Sequence, residues 1–328
     1  MKMCYKDEVQ KKNAEKLQRK FEETNAPKFL RDYFYNLNSE AGKLNYWSVI
    51  TGLLNWLIKE KRINKDSIAE IAEDDMKIIT KTDIIIYLEE LLREGLKPST
   101  IETKKNILSG FWSNLADEEI VNKNIIRSIP KTKFKTKKKN NAKVPLPEDL
   151  TEMIEKMKNK KDDFVRERNL IIVRVLKGTG IRESELAGLN LSNLHLDCEH
   201  PYIDVMGKGV YYEEDIDPVL VSRDAKLALK EWLKIRETLD NIVDNNAVFL
   251  NKNGKRLNEH NIQDIFRIYS KGKITPHMMR HLYATILYQE SGHDAALVQE
   301  QLRHADVNTT IGTYAASDSK SYDALENL

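Results

Sequence analysis

Apolar residues fall three and four apart from Phe29 to Leu37 and again from Trp47 to Ile58, with polar residues between them. That spacing predicts amphipathic helices. Asp83 to Arg93 continues the pattern, with Thr82 as its expected cap and Gly95 at its end. Lys97-Pro98 then interrupts the chain, and Ser99 with Glu102 has the spacing of a capping box that opens a helix through Ile107, Phe111, Trp112 and Leu115. Upstream, Asp7 to Glu23 reads as a charged helix. The second half is mixed. Asp162 to Lys177 has a nearly continuous apolar centre, Leu170 to Val173, which predicts a buried helix breaking at Gly178 and Gly180. Tyr202 to Met206 alternates as a strand does, Gly207-Lys208-Gly209 makes a turn, and Val210 to Val221 can return as its partner. Thr275 followed by Pro276 predicts a helix start. Asp294 to Leu302 predicts a further helix, and after a break at His304 to Asp306 another carries Thr309, Thr310 and Tyr314. The whole reads as mainly α with a small β-sheet.

The chain has 328 residues, enough for two domains of ordinary size. The Ile129-Pro130 pair ends the helical patterns, and Pro145 and Pro147 precede the mixed part. The expected division is a charged helical extension over 1–25, a helical domain over 26–130, a linker over 131–145 and a second domain over 146–328. A total of 53 basic against 51 acidic residues gives a net charge of only +2, but the charge is unevenly placed. Lys131 to Lys143 holds seven lysines and no acid. Such a run is either a solvated linker or a strap across a polyanion, in which Lys135, Lys137, Lys138 and Lys139 would release counterions from phosphates. Apolar runs such as Ile84 to Leu88 fall far short of the roughly 18 residues of a bilayer crossing, and Met1 to Lys20 has no apolar signal stretch. The expected place is the cytoplasm, with no membrane partner. Cys4 and Cys198 are too few for a disulfide framework.

Four constellations carry candidate chemistry. Thr100, Thr103 and Lys104 lie on the polar face of a helix start, where short polar groups reach phosphates or base edges, although a solvated face looks the same. Arg182 follows the Gly178–Gly180 turn at once, with Glu185 one helical turn further on, so its guanidinium is fixed at a helix start. Lys208 stands at a hairpin tip, a place that also suits a lysine kept for solubility. His277 and Arg280 share one face of the helix opened by Pro276. Cationic residues at a positively polarised helix start suggest a bound anion. His277 and His281 have the spacing of a helical zinc pair, but Met278 stands where a metalloprotease has its glutamate and no third ligand is evident. Taken alone, the segment from Asp294 to Tyr314 reads as a helix-turn-helix.

GTGIRESEL around Arg182, MGKG around Lys208, TPHMMRHLYAT around His277 and Arg280, LRHADVNTT around His304, and Tyr314 beyond it together resemble the tyrosine recombinases, or phage-type integrases, of the two-domain Xer-like kind. LKPSTIETKKNILSGFWSNL is similar to the helical core-binding domain of that family, so the likeness covers essentially the whole chain. It implies an N-terminal helical, SAM-like core-binding domain and an α+β catalytic domain, closing as a C-shaped clamp on duplex DNA with the lysine-rich linker between.

The resemblance further implies a site-specific recombinase that cleaves and rejoins DNA through a 3′-phosphotyrosine, for integration and excision of a mobile element or resolution of replicon multimers. Tyr314 is then the nucleophile. Arg182 and Arg280 offer planar forks to phosphate oxygens, Lys208 protonates the 5′ leaving oxygen, and His277 and His304 donate to the phosphate or assist proton transfer. Glu185 orients an arginine. No cofactor or metal is implied. The implied partners are double-stranded DNA, three further copies of the chain in a homotetramer on two DNA sites, and, for members that need one, an accessory directionality factor. Two departures stand out. Arg303 precedes the second histidine where many relatives have glycine, and the hairpin after Lys208 carries Glu213, Glu214, Asp215 and Asp217 where many have basic residues. A catalytically silent DNA-binding protein and a type IB topoisomerase-like enzyme are the alternatives.

Overall fold

In the first part of the chain, helices α1 (Tyr5–Glu23), α2 (Lys28–Tyr35) and α3 (Glu40–Lys59) meet around an aromatic knot. Phe21, Phe34 and Trp47 lie with ring centroids 5.2–5.6 Å apart in tilted and edge-on geometry. These are the separations at which ring quadrupoles attract. Helices α4 (Glu73–Lys77), α5 (Lys81–Arg93) and α6 (Pro98–Asp117) complete the unit, and α6 buries Leu108, Phe111, Trp112 and Leu115 in the same core as Leu17 and Phe21 of α1. The computed structural model describes residues 5–37, 40–130, 144–206 and 216–303. Its contacts divide into two units, Met1–Lys138 and Lys139–Leu328.

Two helix starts differ from expectation. Helix α5 is capped by Thr80 rather than Thr82: the Thr80 hydroxyl accepts from the Asp83 amide at 3.3 Å, and the Asp83 carboxylate accepts from the Thr80 amide at 2.9 Å. A Thr-x-x-Asp box satisfies two amides, which a threonine adjacent to the aspartate has no geometry to do. Helix α6 begins at Pro98, with Ser99 already inside it. Proline stops a helix from behind, but at the first position its φ is preset and its missing N–H costs nothing. Glu102, free of any capping duty, pairs with the buried Lys105 at 3.0 Å.

The second unit comprises α7 (Pro147–Lys158), α8 (Asp163–Thr179), α9 (Glu183–Gly188), the strands β1 (Leu194–His195), β2 (Tyr202–Met206) and β3 (Ile216–Leu220), then α10 (Arg223–Arg236), α11 (Glu259–Tyr269), α12 (Pro276–Glu290) and α13 (Ala295–Leu302). The strands form an antiparallel sheet in the order β1-β2-β3 with Val205 opposite Asp217, and Ile203, Val205 and Val219 are buried. Pro218 sits on the outer strand β3, where it costs the ladder least. The buried helix α8 is the hub, packed by α7, α10 and α12. It runs through Gly178 rather than breaking there, because that glycine is a contact point: a Cβ on it would lie 2.2 Å from Ser222 Oγ and 2.7 Å from Ala225 Cβ at the start of α10. The break comes at Gly180, whose φ of +63° is left-handed. No helix among the described residues is long and apolar enough to cross a membrane.

Candidate active site

The left-handed Gly180 ends α8 and turns the chain so that Arg182 becomes the N-cap of α9. A side chain at Gly180 would also collide with Tyr283 of α12, whose ring carbon Cδ1 stands 2.3 Å from an ideal Cβ position. The turn is therefore pressed against α12. The far end of α9 is fixed by Arg256, whose Nη1 donates to the carbonyls of Ala187 and Leu189 at 3.1 and 3.0 Å while its Nε meets Asp244 at 2.8 Å. Carbonyls at a helix end need such donors.

Arg182 folds back on Glu185. Its amide donates to Glu185 Oε2 at 2.8 Å and its Nη1 to Oε1 at 2.7 Å. The carboxylate is almost closed off from solvent, with 3% of its side chain exposed, whereas Arg182 keeps 29%. On α12, the Thr275 hydroxyl caps the helix by accepting from the Met278 amide, and Pro276 fills the first position, as the sequence predicts. This start aims His277 and Arg280 toward the α8–α9 turn. Arg280 is only 2% exposed; its Nη1 donates to the Gly180 carbonyl at 2.7 Å and its Nη2 to the Leu302 carbonyl at the end of α13. One buried cation thus ties together the turn before Arg182 and the end of α13. Desolvation by the surrounding protein is also the main reason that the His277 pKa lies below the ordinary imidazole value, although by surface area the residue is exposed. Glu183 opposes that shift, and the fields of Arg280 and Arg182 reinforce it. Burial pushes the Tyr283 phenol up to about 12, against the fields of Arg280 and Arg303.

The structure brings Arg182, Glu185, His277 and Arg280 to one place. Lys208, His304 and Tyr314 lie outside the described residues, as do Lys135, Lys137, Lys138, Lys139, Glu213, Glu214 and Asp215. In the first unit Thr100 and Thr103 are exposed and Lys104 is half-buried. The Thr103 hydroxyl donates to the Ser99 carbonyl at 3.0 Å. Arg303, which stands where many relatives have glycine, pairs with the same Glu185, with Nη2 to Oε2 at 2.8 Å. No local pattern announces a contact between residues so far apart in sequence. The same holds for Gln263, whose amide donates to Glu183 at 3.2 Å.

This cluster lies within residues 147–321, which match the phage integrase family. The chain belongs to that family, and is a tyrosine recombinase. The tyrosine recombinase XerC of Thermodesulfovibrio yellowstonii is 33% identical over 233 residues, covering 68% of this chain and 73% of that protein. XerD of Oceanobacillus iheyensis is 32% identical over 243 residues, 71% of this chain and 76% of its own length. Among solved structures, the XerH site-specific recombinase bound to a palindromic difH substrate shares the fold with a TM-score of 0.62 at 24% identity, over 88% of this chain and 80% of that one. The recombinase is thus a tyrosine-type site-specific enzyme whose fold is mainly helical with a small sheet.

Proposed function

We propose that the recombinase cleaves and rejoins double-stranded DNA at the Arg182–Glu185–His277–Arg280 cluster. The observation that carries this reading is the convergence on one turn of two guanidiniums and an imidazole from α9 and α12. A phosphodiester developing a second negative charge during displacement calls for such preorganised donors. In this reading Arg182 and Arg280 bind the non-bridging oxygens. His277, whose pKa is lowered by its surroundings, donates a hydrogen bond or gains a proton once the phosphate is bound. The Tyr314 phenolic oxygen attacks phosphorus and the bond to the 5′ oxygen breaks. The phenol proton leaves to a base, with His304 as the candidate, and Lys208 delivers a proton to the departing oxygen. The product is a 3′-phosphotyrosine and a free 5′-hydroxyl, which attacks the partner strand in the reverse sense. Phosphate-ester energy is conserved, so no nucleotide is consumed. Glu185 orients Arg182 rather than touching DNA.

The exposed Thr100 and Thr103 and the half-buried Lys104 of α6, and the lysines of 131–143, belong to the DNA contact in this proposal, and four copies act on two sites. The role is integration and excision of a mobile element or resolution of replicon multimers, with an accessory directionality factor where direction must be imposed. The test is covalent trapping. The full chain is incubated in EDTA with a pool of random-sequence duplexes carrying a central nick, and adducts are separated on denaturing gels and sequenced. An adduct that persists in EDTA, disappears with Tyr314→Phe and falls about 100-fold or more with Arg182→Ala or Arg280→Ala is expected. Adduct formation by Tyr314→Phe at the wild-type level would remove the nucleophile assignment. Specific binding without any adduct would favour a silent DNA-binding protein.

A further inference from the structure

We propose that Arg303 is a third guanidinium for the bound phosphate, acting beside Arg182 and Arg280. The proposal rests on the reading of this cluster as the DNA phosphate site. Three observations converge on it. Arg303 is the C-cap of α13 with φ 52° and ψ 48°, a left-handed conformation that glycine adopts without strain. The Arg303 side chain is only 12% exposed and reaches Glu185 with Nη2 alone. Its Nε and Nη1 are buried without a hydrogen-bond partner.

Among the described residues, the buried side-chain atoms lacking a partner are these two nitrogens and Gln301 Oε1, all on this one turn. Buried donors are normally satisfied, so a local concentration of unsatisfied ones points to a missing acceptor. Glu185 is also shared: its carboxylate faces both Arg182 and Arg303, so one acidic group serves two guanidiniums. A phosphodiester anion would supply the second counter-charge. Finally, Arg280 bonds the carbonyl of Leu302, the residue just before Arg303, and that of Gly180, two residues before Arg182. This clasp holds the backbones that carry the two other guanidiniums side by side.

The probe is inorganic phosphate, titrated calorimetrically into the full chain at constant ionic strength against chloride. Arg303→Gly suits the left-handed backbone and keeps the fold, and Arg303→Lys keeps the charge without the planar fork. The expected result is that Arg303→Gly and Arg182→Ala each weaken phosphate about tenfold or more, the loss of one charge-assisted hydrogen bond, with Arg303→Lys between. In protein with ¹⁵N-labelled arginine, the Arg303 Nε–H resonance, assigned by its loss in Arg303→Lys, should move with the same midpoint. Weakening by Arg182→Ala but not by Arg303→Gly refutes the role of Arg303 and leaves the site intact. Weakening by Arg303→Gly alone, or an unmoved Nε–H resonance, also refutes it, since Arg303 would then not donate to the phosphate that Arg182 holds. Failure of the wild type to take up phosphate, or indifference of both variants, overturns the phosphate site itself.

Discussion

Replacing Glu185 by glutamine tests the clasp from its anionic side. The carboxylate accepts from the Arg182 amide at 2.8 Å, from Arg182 Nη1 at 2.7 Å and from Arg303 Nη2 at 2.8 Å, with 3% of its side chain exposed. Glutamine fills the same space but offers one oxygen and turns an NH₂ toward a guanidinium. Two arginines then lose their counter-charge. Breaking a buried pair while leaving a charge behind costs about 3–5 kcal/mol. The low end applies here, because Arg182 is 29% exposed and can recover water. At about 2–4 °C per kcal/mol for a domain of this size, the melting transition of the second unit should fall by roughly 6–12 °C. Scanning calorimetry measures this, with the first unit as an internal reference if the two melt separately. In the double variant Glu185→Gln/Arg303→Gly one stranded charge is gone, so the combined loss should be less than the sum of the two single losses. A shift below about 2 °C for Glu185→Gln would mean that desolvation already cancels the attraction, and the clasp would then have no part in stability.

Three further outcomes are expected. Gly180→Ala combines a left-handed φ with a Cβ 2.3 Å from the Tyr283 ring, so it should cost about 2–4 kcal/mol and also lower DNA cleavage, since the Gly180 carbonyl anchors Arg280; a melting point equal to wild type would show that α12 yields freely. Gly178→Ala puts a Cβ 2.2 Å from Ser222 Oγ and should cost about 1–3 kcal/mol by pushing α10 off α8, with destabilisation in urea as the check. His277 has a folded-state pKa below its unfolded value. Its unfolded form therefore takes up a proton first as pH falls through about 6.5, and stability contributed by the neutral ring is present above that pH and lost below it. Wild type should lose more stability than His277→Gln between pH 7.5 and 5.5, and equal losses would contradict the assignment.

Local pattern revealed those parts of the fold that local pattern controls. The helix opened by Thr275 and Pro276, the strand from Tyr202 and the placement of Arg182 on a glycine turn all follow from caps, alternation and backbone permissiveness within a few residues. The misread starts at Thr82 and Ser99 are equally local: Thr80 and Thr82 both precede Asp83, and only the hydrogen-bond geometry selects between them. Gly178 looked like a breaker because a glycine needed for helix-to-helix contact has the same sequence signature as one needed for a turn. The family-like order and neighbours of Arg182, His277 and Arg280 suggested that they share a site, and the structure brings them to one place. Sequence could not indicate that Arg303 returns to Glu185, that Arg256 caps α9, or that Arg280 spends two donors on carbonyls. Those are long-range pairings decided by tertiary packing.

Among the described residues, helix α13, eight residues long, packs through an apolar cluster of Val298, Leu302 and Ala284 with Tyr283, Leu287 and Tyr288 against it, and the links from Arg280 and Arg303 add to its docking. Thermodynamic linkage then runs both ways. An anion that engages these guanidiniums in their clasped arrangement tightens α13 on α12, and any partner that draws α13 away loosens the grip on the anion by the same factor. The position of one short helix and the affinity for one phosphate are, in that sense, two readings of a single free energy.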